Sequence, residues 1–253
     1  TWVPTLIYGD ALRELPRPRA GTYIPQLLES GMNQNRLYAL PWYTDLRVLY
    51  YRRDILARCG IAPESLGTFA GLRAACQRLR DERKRDFFPF SLSGQKESIL
   101  IHDLAPWIWG EGGDIFSPDA KRVMLMGRRA QAGLHFYFDL IDRGCVPIQG
   151  RDLARFTGNF FTGDCAMQIT GTLPVKTLFN SRHRDYQARV ARNYAIAPFP
   201  RGSKAQSTYI GGGHLAVSSA CEHPEEANEF IRFLAAPETQ MRFLKQLGLL
   251  PSR

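Results

Sequence analysis

Apolar residues recur along this chain with two different spacings, and the switches between them outline alternating strands and helices. The stretch "TWVPTLIYGDALREL" is a short apolar opening followed by a turn at Gly9-Asp10. Residues 37–41, "LYALP", read as a short strand, and 47–51, "RVLYY", as a second, rich in β-branched and aromatic side chains. "TFAGLRAACQRLRDE" then places Phe69, Leu72, Ala75, Cys76 and Leu79 at helical spacing, with Thr68 as the N-cap. "FFPFSLS" (87–93) returns to strand, and a helix is expected over 98–109, ending at "GEGGD". A long helix is expected to start after Ser117-Pro118-Asp119. It carries Leu134, Tyr137, Phe138 and Ile141 on one face and stops at Gly144.

The same pattern continues to the end of the chain. "DLARFTGNFFTG" (152–163) reads as a helix, and "CAMQIT" (165–170) and "NYAIAPFP" (193–200) as strands. "GGGHLAVSS" (211–219) reads as a glycine loop feeding a strand. Two helices are expected over 223–236 and 237–248, the second with Pro237 in its first turn and Gly248 just past its end. The stretch 199–209, "FPRGSKAQSTY", has the composition of a linker or a lobe crossing. Strands and helices alternate throughout, so the class is α/β.

Composition narrows the field. The 253 residues are 44% apolar and 23% charged, which is the make-up of a folded chain with a sizeable core. The net charge of +9 raises the question of a nucleic-acid partner. The basic residues are scattered, however, and the densest run, "RLRDERKRD" (78–86), mixes acids with bases like a solvated helix end. No nucleic-acid partner is expected. Cys59, Cys76, Cys145, Cys165 and Cys221 include no C-x-x-C pair, so no metal or redox motif is read from them. His102, His135, His183, His214 and His223 are not at metal-ligand spacing, and no metal or cofactor is expected.

Catalytic signatures are sparse. The chain has no G-x-S-x-G elbow and no phosphate-binding P-loop. "GGGHLA" (211–216) fits a loose dinucleotide fingerprint, but strand rather than helix follows it. Asp45, Glu97, Asp103 and Glu111 leave open a carbohydrate-active enzyme that works with two acids.

The stretch "LPWYTDLRVLYYRRD" (40–54) is richer. It gathers Trp42, Tyr43, Asp45 and Arg47 in six residues. A sugar has apolar C–H faces and a rim of hydroxyls, so it needs a flat ring below and a strong acceptor at its edge. Asp45 supplies the acceptor and Trp42 or Tyr43 the ring. Strand alternation puts Tyr43, Asp45 and Arg47 on one face and Trp42 with Thr44 on the other. The plainer reading makes the rings core and pairs Asp45 with Arg47.

Taken in order, several segments resemble the extracellular solute-binding proteins of ABC importers, in the branch that binds sugars and polyols. They are "LYALPWYTDLRVLYYRRDILARCGI", "TFAGLRAACQRL", "GQKESILIHDLAPWIWGEGGDIF", "NFFTGDCAMQITGT", "YAIAPFPRG", "YIGGGHLAV" and "HPEEANEFIRFLAAPETQMRFLKQLGLLPSR". The resemblance runs from residue 1 to 253 and matches the middle of a family member, without its opening strands or closing helices. Where family members often carry a tryptophan after a Gly-Pro turn, this chain reads Gly171-Thr172-Leu173-Pro174, and Gly213-His214 stands where a smaller polar residue is common.

The resemblance implies a two-lobed α/β fold of the type II periplasmic-binding-protein kind, with its first lobe incomplete. Residues 1–45 and 209–253 belong to the first lobe and 46–208 to the second, with crossing segments near 44–47 and 207–211. It implies a monomer that is no enzyme. Such a protein binds a sugar or polyol in the cleft between its lobes, closes by a hinge motion, and delivers the ligand to a membrane permease from the periplasmic or extracellular side. The ligand-binding residues it implies are Trp42, Tyr43, Asp45, Arg47, Gln95, Glu97, Gly171, Thr172, Gly211, Gly212 and Gly213. His102 and Trp107 are further candidates, more simply explained by helix packing.

Overall fold

A computed structural model describes residues 2–81, 87–91, 100–146, 160, 165–171 and 192–253. The chain divides into two units, one formed by Thr1–Leu46 with Ile210–Arg253 and the other by Arg47–Tyr209.

In chain order, the first unit begins with helices α1 (Val3–Tyr8) and α2 (Pro25–Glu29). The short strands β1 (Met32–Asn33) and β2 (Arg36–Leu37) form a hairpin, and β3 (Ala39–Leu46) follows. The second unit opens with β4 (Val48–Arg52), α3 (Arg53–Arg58), α4 (Phe69–Asp81) and β5 (Phe88–Ser91). It continues through α5 (Leu100–Gly110), α6 (Arg128–Asp142), β6 (Cys165–Thr170) and β7 (Tyr194–Ala197). The chain returns to the first unit with β8 (Ile210–Ala216), α7 (Pro224–Ala235), α8 (Pro237–Leu247) and β9 (Leu250–Pro251).

The second unit is built on a four-stranded sheet of order β5-β6-β4-β7, in which β5 runs parallel to β6 and the other pairs are antiparallel. The helical spacing read from the sequence over α4 is the reason it packs there. Leu72, Ala75, Cys76 and Leu79 are all buried, against Leu49, Phe90 and Met167 of the sheet. Thr68 caps the helix as expected, its hydroxyl accepting from the backbone N–H of Gly71 at 3.1 Å. Trp107 of α5 is fully buried, with Phe69 at 4.9 Å, Phe199 at 4.8 Å and Phe136 at 5.5 Å between ring centres. Burial of one such side chain contributes roughly 2–3 kcal/mol, so packing is the role of Trp107.

The first unit carries a three-stranded sheet of order β8-β3-β9. Leu15, Tyr23, Leu37, Leu40, Val217, Ile231 and Ala235 form its core. Gly248 ends α8 with φ +66° and Pro237 starts it, as the sequence suggested.

The strand alternation expected through 42–46 falls within β3, which runs from Ala39 to Leu46. Three expectations are corrected. Gly211, Gly212 and Gly213 lie inside β8 and form no loop, since each sits opposite a residue of β3. The long helix starts at Arg128, not after Asp119. Ser117 and Asp119 spend their side chains on a local turn closed by an isolated bridge between Phe116 and Val123. The stretch 199–209 is no slack linker, for the backbone N–H groups of Lys204 and Ala205 both donate to the Gly110 carbonyl and that of Arg201 donates to Gly67. Apart from Phe160, the expected helix over 152–163 lies outside the described residues.

Candidate ligand-binding site

The candidate site of the first unit is built on the central strand of its sheet. β3 pairs antiparallel with β8, from Ala39 opposite Ala216 to Leu46 opposite Ile210. On its other edge, Tyr43 and Thr44 pair with Pro251 and Leu250 of β9. The register brings Tyr43, Thr44 and Asp45 opposite Gly213, Gly212 and Gly211. Three successive residues of the strand therefore have neighbours without side chains. The Tyr43 ring covers Gly213, while the backbone at Gly211 and Gly212 carries no side chain that would keep another molecule away.

The glycines also accommodate Tyr43. A Cβ on Gly213 would fall on the Tyr43 ring, with Cδ1 and Cζ both at 2.8 Å. A Cβ on Gly212, which holds φ +151°, would meet the Tyr43 carbonyl oxygen. The Tyr43 ring lies over the backbone of β8 because that backbone carries nothing there.

Trp42 departs from simple alternation. The ladder shifts between Pro41 and Tyr43, which makes Trp42 the extra residue of a β-bulge. The expected sharing of a face by Trp42 and Thr44 cannot be carried through that shift. Tyr43 and Asp45 remain two apart within the regular part of the strand. The Trp42 ring sits 5.9 Å from Tyr43, edge-on at 72°, and 5.8 Å from Phe243 of α8. Trp42, Tyr43 and Asp45 are half-buried, whereas Thr44 is buried.

The strand is held firmly from behind. Thr44 donates its hydroxyl to the Pro251 carbonyl at 3.2 Å, and Ser252 donates to the Pro41 carbonyl at 2.8 Å. Gln240 of α8, fully buried, donates to the Ser252 hydroxyl at 3.2 Å and accepts from the Ser252 N–H. A site on so braced a strand is preorganised, which lowers the entropy cost of binding.

Arg47 belongs to the second unit and does different work. It is 9% exposed, and its Nε donates to Asp103 of α5, itself 7% exposed, at 3.2 Å. Its backbone N–H donates to the Tyr209 carbonyl at 3.1 Å, and its carbonyl accepts from the Thr208 hydroxyl at 2.5 Å. The Tyr209 ring stacks on His102, one residue before Asp103, at 4.1 Å and 15°. The first turn of α5 thus holds both Arg47 and Tyr209, the first and last residues of the second unit. Burial, with the Asp103 carboxylate nearby, pushes the Tyr137 hydroxyl well above the ordinary tyrosine value.

Of the other predicted residues, Gly171 is buried and its carbonyl accepts from the Tyr50 hydroxyl at 3.0 Å. Gln95, Glu97 and Thr172 lie outside the described residues. Asp103 and Glu111, two of the acids weighed as a hydrolytic pair, are otherwise engaged. Asp103 pairs with Arg47, and Glu111 accepts from the backbone N–H and hydroxyl of Ser203. Sequence reasoning missed Phe243 beside Trp42 and the partnership of Asp103 with Arg47. The only signals were an aromatic on the outer face of α8 and an acid in the first turn of α5.

Two hollows of about 590 and 470 Å³ open on the second unit, the former lined by Arg73, His135 and Phe138, the latter by Phe116, Met124 and Arg128. Glu111 also lines the former, and among the described residues none of Trp42, Tyr43, Asp45, Arg47, Gly171 and Gly211 to Gly213 lines either. Among the described residues, no group of three or more His, Cys, Asp or Glu side chains is arranged to hold a metal ion.

Comparison with known proteins agrees with this architecture. The chain is 25% identical over 260 residues to a probable ABC transporter-binding protein of Deinococcus radiodurans, covering 96% of this chain and 58% of that one. It is 23% identical over 242 residues to the diacetylchitobiose-binding protein DasA of Streptomyces coelicolor, covering 90% and 52%. The chain thus spans little more than half the length of these relatives. Among solved structures, the GacH receptor of Streptomyces glaucescens, described unliganded and with acarbose, superposes with a TM-score of 0.82 at 23% identity, over 100% of this chain and 63% of that one. The fold is that of the type II periplasmic binding proteins. Residues 1–253 match the model of the bacterial extracellular solute-binding proteins throughout, and the chain belongs to that family.

Proposed function

We propose that this chain is the ligand-holding span of an ABC importer's solute-binding protein, which binds a neutral sugar or polyol against Trp42, Tyr43 and Asp45 and passes it to a membrane permease. Residues 1–45 and 209–253 serve as one lobe and 46–208 as the other. The protein acts as a monomer on the periplasmic or extracellular side.

The observation that carries this reading is the pairing of Tyr43, Thr44 and Asp45 with three glycines. It offers a carboxylate and an aromatic ring beside bare backbone. A carboxylate accepts from two neighbouring hydroxyls in charge-assisted bonds, and the ring covers an apolar sugar face. Gly211 and Gly212 serve as the close-approach strip, and Gly213 makes room for the Tyr43 ring. Arg47, bound to buried Asp103, acts as an anchor more than as a ligand contact. Gln95, Glu97, Gly171 and Thr172 are kept as proposed ligand contacts on the ground of the family resemblance alone. The relatives' ligands, diacetylchitobiose for DasA and acarbose for GacH, support the sugar class.

A thermal-shift screen against sugars and polyols tests the reading, run on the wild type and on Asp45→Ala. A ligand of the right class raises the melting temperature of the wild type. Loss of the carboxylate leaves hydroxyls unpaired, which weakens binding by about 1–3 kcal/mol, roughly 5- to 150-fold. A hit that stabilises both proteins equally removes Asp45 from the site. A hit that is consumed during incubation replaces binding with catalysis.

A further inference from the structure

The chain between α5 and α6 exposes apolar side chains and cations together. Residues 115–124 fold back as a tight hairpin. The Ser117 N–H donates to the Arg122 carbonyl at 2.9 Å, the Met124 N–H donates to the Ile115 carbonyl at 2.8 Å, and Phe116 bridges to Val123. Ile115 and Ser117 are buried, so Phe116 between them takes the outer side. Phe116 is 52% exposed, its bridge partner Val123 64%, and Met126, just before α6, 82%. Met124 is exposed too. Single apolar residues on a surface are ordinary, but four large ones so close in the chain form a patch that marks an interaction site.

Cations surround the patch. Phe116, Pro118 and Met124 line the hollow of about 470 Å³ together with Arg128 and Arg129 of α6. A Cβ on Gly112 would meet Lys204 at 3.3 Å and the Arg129 Cδ at 3.7 Å, so Lys204 and Arg129 both stand beside that glycine. Lys121 and Arg122 stand at the hairpin turn. All five cations are exposed, and among the described residues none of them forms an ion pair. The nearby acids are engaged. Asp114, which also lines the hollow, accepts from the Trp109 indole N–H at 3.0 Å and from the Ile115 N–H at 2.7 Å. Asp119 accepts from the Ser117 hydroxyl and from the Lys121 N–H.

We infer that this hairpin and the start of α6 form a docking surface for an anionic phospholipid bilayer. Phe116, Val123, Met124 and Met126 enter the interfacial layer, and the five cations pair with lipid phosphates. A short apolar anchor or a basic patch alone binds a bilayer weakly, and the two together bind it well. The charges are complementary, because the cations have no ion-pair partner among the described residues and the acids beside them are held by local donors. A bilayer also fits better than an acidic protein. Val123 and Met126 stand outside the hollow, and a bilayer receives them without a shaped groove, whereas a protein partner must match their outline. The surface shares no residue with the proposed sugar site and stands independently of it.

The test is co-sedimentation of the whole chain with vesicles at about 0.1 M salt, where the Debye length is still about 10 Å. One set of vesicles is phosphatidylcholine alone, and the other is an equal mixture with phosphatidylglycerol. The mixed vesicles should carry down about tenfold more protein. Phe116→Ser with Met126→Ser should cut that binding roughly threefold or more, and so should Arg128→Gln with Arg129→Gln. All four side chains are exposed, so both variants should melt with the wild type. Four results each overturn the proposal: no sedimentation with either vesicle, equal sedimentation with both, binding that neither pair of substitutions weakens, or binding lost with the arginines but untouched by the loss of Phe116 and Met126. The last would assign the surface to an acidic protein partner, which charge alone attracts.

Discussion

Gly213 shows how a residue without a side chain decides where a ring lies. The Tyr43 ring occupies the space a Cβ on Gly213 would need, and Tyr43 cannot retreat freely because Trp42 stands edge-on beside it. Gly213→Ala should therefore displace the ring and overpack the strand pair. Overpacking of this kind costs about 1–3 kcal/mol. Chemical denaturation should show that loss, and thermal shift with a ligand that stabilises the wild type should show a smaller response. An Ala variant as stable as the wild type would mean that the ring moves aside cheaply. Gly211, which pairs with Asp45 instead of Tyr43, is the control position.

At the scale of elements, His214 ties α2 to the sheet. Its Nε2 lies 3.2 Å from the Leu27 carbonyl and 3.0 Å from the Ser30 hydroxyl, at the end of α2. Burial holds the imidazole below the ordinary histidine value, although the bond to Leu27 opposes this. A folded-state value below the unfolded one means that the unfolded chain binds the proton more readily. The stabilisation is complete above the unfolded value and is lost as pH falls through the folded one. The melting temperature should therefore fall between about pH 7.5 and about pH 5 more in the wild type than in His214→Gln, which donates similarly but does not titrate. Equal falls would leave His214 without a part in it. Such ties explain what the sequence could and could not tell. The α4 helix, its Thr68 cap and the strands β4, β5 and β6 were readable because local spacing and burial agree. The glycines of β8 were not, because glycine argues against strand locally and only Tyr43, distant in sequence, explains them. Ser117-Pro118-Asp119 has the look of a helix start, but Ser117 and Asp119 bond each other first. In the candidate site, Tyr43 and Asp45 were visible as chemistry. The bulge at Trp42 and the partner of Arg47, 56 residues away, depend on long-range pairing that no short window contains.

For the molecule as a whole, the excess of positive charge must be reconciled with a neutral ligand. The net charge is +9, yet the charged residue facing the bare strip of the first sheet is an acid, Asp45. Arg47, the basic member of the same sequence cluster, is spent on Asp103. Surface charge sets how the protein meets polyanions, whereas hydrogen bonds and ring contacts set how it holds a sugar, and only the first is strongly screened by salt. The sugar that gives the largest shift should thus bind with affinity unchanged within about twofold between about 50 mM and 500 mM sodium chloride, measured by calorimetry. Any association with a single-stranded oligonucleotide should weaken by tenfold or more over the same range, as counterion release requires. A steep fall for the sugar hit would point instead to a phosphorylated ligand, drawn by basic groups outside the Asp45 strip, and would remove the neutral class from the proposal.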